Sequence, residues 1–263
     1  MAHRNLAGSR TLITGASAGI GWHLALQLAA AGGQVVALAR REEKLRDLVA
    51  AARVAGSPGS VEIIAGDVTD PEVRSRAVRL ALDRFGGIDA LINNAGIGSF
   101  GRFQDADTAR LRQIFEVNFF SVVELTRLAL PALRNGKNPI VVNVGSILGH
   151  RGIPRMHEYC ATKFALRGLS ESLRIELKPQ GVDLLLVSPG TTETEFYDNV
   201  VHGRGDVPWP KGRGVPAEKV ARATLRAMRR GKREIIPNFA GRLLVWASDR
   251  APGIVDRFMI RYA

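Results

Sequence analysis

Residues 11–21 read Thr-Leu-Ile-Thr-Gly-Ala-Ser-Ala-Gly-Ile-Gly, and this stretch decides the fold. Its first four residues are short and mostly apolar, as a strand buried on both faces should be. Three glycines follow, at positions 15, 19 and 21. Glycine lets the backbone turn sharply and approach a ligand closely. Apolar residues then recur at helical spacing as far as Ala31, so a helix opens at Gly19. A helix N-terminus offers free N–H groups and a positive dipole end to a pyrophosphate. The spacing is Gly-x-x-x-Gly-x-Gly, which departs from the commonest dinucleotide fingerprint. A glycine cluster alone is only a tight turn. The strand before it and the helix after it favour a dinucleotide site.

The same alternation runs along the chain. Strand-like segments lie at 11–14, 34–39, 61–64, 90–93, 140–144 and 183–188. Helical patterns lie at 19–31, 42–52, 71–85, 108–133 and 158–177. Pro71 after Asp70 is a favoured helix start. A short seventh strand fits at 234–236. Strands alternating with helices imply a parallel sheet with right-handed crossovers. The expected fold is α/β: a single-domain, Rossmann-type, doubly wound and mostly parallel seven-stranded sheet with helices on both faces, over residues 1–237. With 263 residues, 46% of them hydrophobic, the chain has ample material for one such core. It contains no apolar run of spanning length, so no spanning helix is expected, and residues 1–10 lack the apolar stretch of a secretory signal. The single cysteine, Cys160, fits a cytoplasmic setting and reads as a packed thiol.

The end of the second strand reads Leu38-Ala39-Arg40-Arg41. Sites for NAD usually place a carboxylate here to hold the ribose 2′-hydroxyl. Two guanidinium groups stand there instead, and arginine–phosphate bonds are charge-assisted and often bidentate. The expected cofactor is therefore NADP(H), with Arg40 as the main contact to the 2′-phosphate.

Tyr159 and Lys163 stand four apart at the start of a helical pattern, so they share a face. A nearby ammonium favours phenolate over phenol. A tyrosine so placed can exchange a proton with a carbonyl or alcohol oxygen. Taken alone, such a pair is usually an ordinary helix face. His150 and His157 lie nearby without a cysteine or carboxylate partner, so no metal is expected.

Together these motifs resemble the classical short-chain dehydrogenases/reductases, in order and at family spacing, from Leu6 to Thr194. The resemblance implies a catalytic set of Asn118, Ser146, Tyr159 and Lys163. It also implies cofactor contacts from Gly15, Ser17, Ala18, Gly19, Ile20 and Gly21. Asp67 and Val68 would sit by the adenine, and Asn94, Ala95 and Gly96 beside the cofactor. Pro189, Gly190, Thr192 and Thr194 would flank the nicotinamide, with Tyr159 and Lys163 at its ribose. Hydride transfer between nicotinamide and a carbonyl or secondary alcohol follows, with tyrosine as the general acid/base. Rival readings are a catalytically silent sensor or scaffold of this fold, and a dehydratase or epimerase. The resemblance also implies a homodimer or homotetramer formed through helices 108–133 and 158–177.

Substrate contacts are expected from Ile97, Ile147, Leu148, Ile153, Phe196 and Trp209. They are largely apolar, which favours an apolar small molecule. The Gly/Pro-rich stretch 202–216 reads as a lid. Residues 238–263 depart from the family pattern and read as two amphipathic helices. They belong to a segment, 211–263, with 13 basic and 4 acidic residues out of a net +12 for the chain. No nucleic-acid motif accompanies that charge, so nucleic acid is not expected. The apolar faces would pack on this domain or a partner, with peripheral membrane contact as the second choice.

The arginine reading is testable. Arg40→Asp should lower the NADPH-over-NADH ratio of kcat/KM by about tenfold or more, the scale of one lost charge-assisted bond. An unchanged ratio would remove the assignment.

Overall fold

A computed structural model describes residues 4–196, 200–201 and 214–262. Its centre is a seven-stranded sheet of β1 (Arg10–Thr14), β2 (Gln34–Ala39), β3 (Ser60–Ala65), β4 (Ala90–Asn93), β5 (Ile140–Val144), β6 (Asp183–Val187) and β9 (Glu234–Ile235). The strands run in the order β3-β2-β1-β4-β5-β6-β9, and every pairing is parallel.

The strand sequences explain why both faces are covered. Successive side chains point to opposite faces, so neighbouring apolar residues feed two separate cores. Ile13, Val35, Ile92, Val142 and Leu185 pack on one side with α1 (Gly19–Ala30), α2 (Glu42–Val54) and α7 (Ala217–Arg229). Leu12, Val36, Leu91, Val141 and Leu184 pack on the other with α3 (Pro71–Phe85), α5 (Ser121–Arg134) and α6 (His157–Leu177). Helix α3 starts as its sequence implies: the Asp70 side chain accepts from Glu72 N, and Pro71 is the first helical residue. Strand β1 lies between β2 and β4, so the winding direction reverses there. Ligands of such sheets bind in the crevice at the carboxyl ends of those strands.

Some details differ from the sequence reading, which also lacks helix α7. The stretch 108–133 is two helices, α4 (Thr108–Phe115) and α5, joined by a widened π-helical turn at Glu116–Phe120. Ile114, Val122, Leu125, Ala129 and Leu133 are buried on the two sides of it, at spacings that a single helix also gives. Strand β5 stops at Val144, where the sequence places its end, and Ser146 beyond it caps a 3₁₀ turn, Ile147–Gly149. Residues 215 and 216, read as part of the lid, form β8 (Val215–Pro216), parallel to β7 (Thr192–Glu193). Positions 202–213 of that lid, Trp209 among them, lie outside the described residues. After β9 come α8 (Phe239–Arg250) and α9 (Pro252–Met259), with Pro252 opening α9.

The amino ends of β1 and β4 are tied by the Asp89 carboxylate. It accepts from Arg10 N and Nε at 2.9 Å, from Arg10 Nη2 at 2.6 Å and from Lys137 N at 2.6 Å. Burial pushes this carboxyl up, but the Arg10 guanidinium and the backbone N–H groups of Lys137 and Arg10 outweigh it and hold it below the usual range. A folded-state value below the unfolded one of about 3.9 stabilises the fold above that pH and is lost as pH falls through the folded value. Asp89→Asn should therefore lower unfolding free energy at neutral pH by roughly 3 kcal/mol, as for a buried pair losing one partner. Urea titrations should show the deficit shrinking in acid.

Candidate active site

The first strand-to-helix turn is held open by close packing. Gly15 has φ +68°, and a Cβ there would lie 2.8 Å from Ala95 Cα and from Asn94 Nδ2. The Asn94 amide donates to Thr14 O at 2.9 Å and Gly15 O at 3.1 Å. Thr14 Oγ1 in turn accepts from Asn94 N and Ala95 N, both at 3.0 Å. Side chains of β1 and β4 thus brace one another where their carboxyl ends diverge. Gly21, expected as a ligand contact, lies behind the turn; a Cβ there would meet Gly15 O at 2.4 Å. Its role is to let α1 approach the strand. Helix α1 starts at Ala18 with no side-chain cap and no acidic residue in its first turn. The cradle is thus narrow, free of negative charge and lined with N–H donors, which fits a pyrophosphate.

Gly15, Ser17, Ala18, Gly19 and Ile20 line one cleft with Arg40, Arg41, Asp67, Val68, Asn94, Ala95 and Gly96. Pro189, Gly190, Thr192 and Thr194 line its other side. Arg40 is exposed and makes no hydrogen bond or ion pair with the described residues. Arg41 is engaged: its Nη1 pairs with Glu195 Oε2 at 2.7 Å, and its Nη2 donates to Ser17 Oγ at 3.3 Å. Sequence reasoning missed Glu195, because a contact between residues 154 positions apart leaves no local pattern. Asp67 Oδ1 accepts from Thr69 N and Thr69 Oγ1, which fixes the turn after β3.

Farther along the cleft stand Ser146, Tyr159 and Lys163. Tyr159 and Lys163 are buried, on the first turns of α6. Lys163 Nζ lies 5.5 Å from the centre of the Tyr159 ring and donates to Val144 O at 3.0 Å. Burial pushes the Lys163 ammonium down to about 8. The Tyr159 ring meets Phe196 edge-on at 5.3 Å. Ser146 Oγ accepts from Leu148 N at 3.1 Å, so its own hydrogen remains to be donated.

Asn118, buried in the widened turn, does not line the cleft. Its Oδ1 accepts from Ile97 N at 2.9 Å, and its Nδ2 donates to Ile97 O at 2.9 Å and Thr162 Oγ1 at 3.1 Å. Thr162 Oγ1 also donates to Tyr159 O at 2.8 Å.

Of the expected substrate contacts, Ile97, Ile147, Leu148, Ile153 and Phe196 all line the cleft, whose volume is about 970 Å³. Leu244, Phe258, Met259 and Tyr262 complete its wall from the C-terminal helices. Gly241 lets α8 come close, since a Cβ there would lie 3.0 Å from Ile147 Cγ2. Arg151 pairs with Asp256 and ties α9 to the segment after Ser146. The histidines of that segment lie elsewhere. His150 Nε2 is 2.9 Å from Glu234 Oε1, and His157 packs edge-on against Phe103. Cys160 is buried, and burial pushes its thiol up, away from nucleophilic use.

A glycine cradle and a buried Tyr–Lys pair at the reversal of a parallel doubly wound sheet define an NAD(P)-dependent oxidoreductase. Residues 9–205 match the family model described as short chain dehydrogenase, and the chain belongs to that family. It is 34% identical to 11-beta-hydroxysteroid dehydrogenase A of Sesamum indicum, over 96% of this chain and 74% of the relative. A short-chain dehydrogenase/reductase from Burkholderia phymatum, in complex with NAD, has the same fold at 24% identity and a TM-score of 0.85, covering 95% of this chain and 96% of that one. A short-chain dehydrogenase from Burkholderia cenocepacia J2315, in complex with NADP, aligns at 29% identity and a TM-score of 0.77, over 89% and 97% of the two chains.

The lowered Lys163 value has a measurable consequence. Between about 8 and the ordinary 10.5 the unfolded chain holds a proton that the folded chain has released. Stability of the ligand-free protein should therefore gain from this group as pH rises through that window. The gain should be missing in Lys163→Met, measured by denaturant titration at several pH values.

Proposed function

We propose that this protein is an NADP(H)-dependent oxidoreductase that interconverts a bulky apolar ketone and its secondary alcohol. The observation that carries the reading is the buried Tyr159–Lys163 pair facing an apolar-walled cleft beside the glycine cradle. Bound in that cradle, NADP(H) supplies or accepts the hydride. The N–H groups at the start of α1 would hold its pyrophosphate, and the Arg40 guanidinium, which has no partner among the described residues, would hold the 2′-phosphate.

Tyr159 donates its phenolic proton to the carbonyl oxygen as negative charge develops there. Ser146 donates a second hydrogen bond to the same oxygen, placed where the charge appears. Lys163 donates one N–H to Val144 O, and its other two would hold ribose hydroxyls. With its value near 8 it stays largely charged at neutral pH and favours the phenolate form of Tyr159. In the oxidising direction Tyr159 is the base. The Asn118 side chain has both donors and its oxygen engaged by protein. Its part is to hold the turn, tying Ile97 to Thr162, one residue before Lys163.

The substrate class rests on the cleft wall, where Ile147, Leu148, Ile153, Met156, Leu244 and Phe258 meet. The name of the sesame relative adds a hydroxysteroid as the first compound to try. A homodimer or homotetramer through α5 and α6 is supported by Phe120, Leu128 and Phe164, apolar residues left 41–44% exposed on or beside those helices. The buried lone cysteine is in keeping with a cytoplasmic setting.

NADPH oxidation against ketosteroids, aliphatic ketones and sugars tests the reading, with the ketosteroids expected to turn over fastest. Tyr159→Phe should lower kcat by about a hundredfold or more, the scale of lost acid–base catalysis, and keep NADPH affinity. Near-normal turnover in that variant would sink the mechanism.

A further inference from the structure

Helices α8 and α9 each turn one face to the protein and one to solvent. On α8, Gly241 and Ser248 are buried and Leu244 reaches the cleft. Phe239, Leu243 and Trp246 follow at spacings of four and three residues, on one outward stripe. They are 71%, 52% and 58% exposed. On α9, Val255 is buried, while Ile254 and Phe258, four apart, are 71% and 48% exposed. Arginines border this face. The Arg242 guanidinium lies 5.8 Å from the Phe239 ring centre, and that of Arg261 lies 4.3 Å from Phe258. Arg250 and Arg257 sit in the last turns of the two helices. Asp249 and Asp256 are the acidic residues on these helices, and Asp256 is paired with Arg151.

We propose that this face is a docking surface for an anionic lipid bilayer. Aromatic and aliphatic side chains on one stripe, with arginines along its edge, suit a helix lying in the headgroup region. Neither helix is long and apolar enough to cross. Arg242, Arg250, Arg257 and Arg261 outnumber the two aspartates of residues 239–262, an excess that complements a negatively charged leaflet. A second copy fits less well, because a two-fold contact through this face would bring the same arginines together. Phe258 belongs both to the exposed face and to the cleft wall. The mouth of the cleft therefore borders the docking surface, and an apolar substrate dissolved in the bilayer reaches it without crossing water. That last step rests on the substrate class proposed above; the docking does not.

Sedimentation of the full chain with vesicles tests the docking without cofactor or substrate. Phosphatidylcholine vesicles containing phosphatidylserine should bind it, and pure phosphatidylcholine vesicles much less. Raising the salt should release it, since screening shortens the reach of the arginines. Leu243→Glu with Trp246→Glu should weaken binding by about tenfold or more. Arg242→Gln with Arg250→Gln should weaken it by roughly fivefold per arginine. These four positions lie outside the cleft wall, so NADPH oxidation of a water-soluble carbonyl should persist in both variants. If the glutamate pair fails to fold, the arginine pair decides. Absence of binding to the serine-containing vesicles overturns the proposal, and so does equal binding by wild type and variants. A smaller assembly formed by the glutamate pair in sedimentation velocity also overturns it, because a second copy then covers the face. An inactive protein that still binds the vesicles would count against the proposed reaction alone.

Discussion

The geometry of this site hangs on one buried amide. Asn118 joins Ile97, on the loop after β4, to Thr162 on α6, and Thr162 sits one residue before Lys163. The glycine cradle is braced on the β4 side of that bond, and the tyrosine and lysine are carried on the α6 side. An amide in the dry interior must find its partners or cost the fold about 1–3 kcal/mol per unmade bond. Here it finds three, and the register of one half of the cleft against the other is fixed. The widened turn at Glu116–Phe120 is the local departure that turns Asn118 inward. Single π-helical turns are uncommon and gather at functional sites for this kind of reason.

A second polar chain reinforces the same arrangement deeper in the molecule. Asn93 on β4 donates to Asn143 on β5 at 2.9 Å and to Thr126 on α5 at 3.1 Å. Asn143 donates to Ser170 on α6 at 2.9 Å, and Ser170 donates to Leu166 O. All these side chains are buried. Apolar packing sets how far α5 and α6 stand from the sheet but tolerates sliding. A directional ladder of this kind removes that freedom. The positions of Ser146, just beyond β5, and of Lys163, on α6, follow from it.

Much of this was legible from residue order, and the reasons differ by feature. The strands were readable because each is a short apolar run between turn-forming residues, and β2, β4 and β5 begin and end where the pattern places them. The glycine cradle and the Tyr159–Lys163 pair were readable because their members are neighbours in the chain, where spacing maps directly onto geometry. The break between α4 and α5 was hidden, since apolar residues on both sides keep nearly the same phase across it. The Arg41–Glu195 pair and the bond from Arg151 to Asp256 were hidden because each joins segments remote in sequence. The tail could be seen as amphipathic, but which of its faces meets Ile147 depends on how it crosses the sheet edge after β9.

That placement of the tail separates two jobs along the chain. The residues proposed to handle charge and protons lie within the first 194 residues, most of them beside strand ends and helix starts. The far wall of the cleft comes from residues 244–262, where Gly241 lets α8 approach Ile147 and Asp256 pairs with Arg151. On the proposed function, drift in the tail would reshape the space offered to the reactant more than the residues set to act on it. A lineage carrying this architecture can change diet by rewriting its last two dozen residues, and a protein engineer can graft there first.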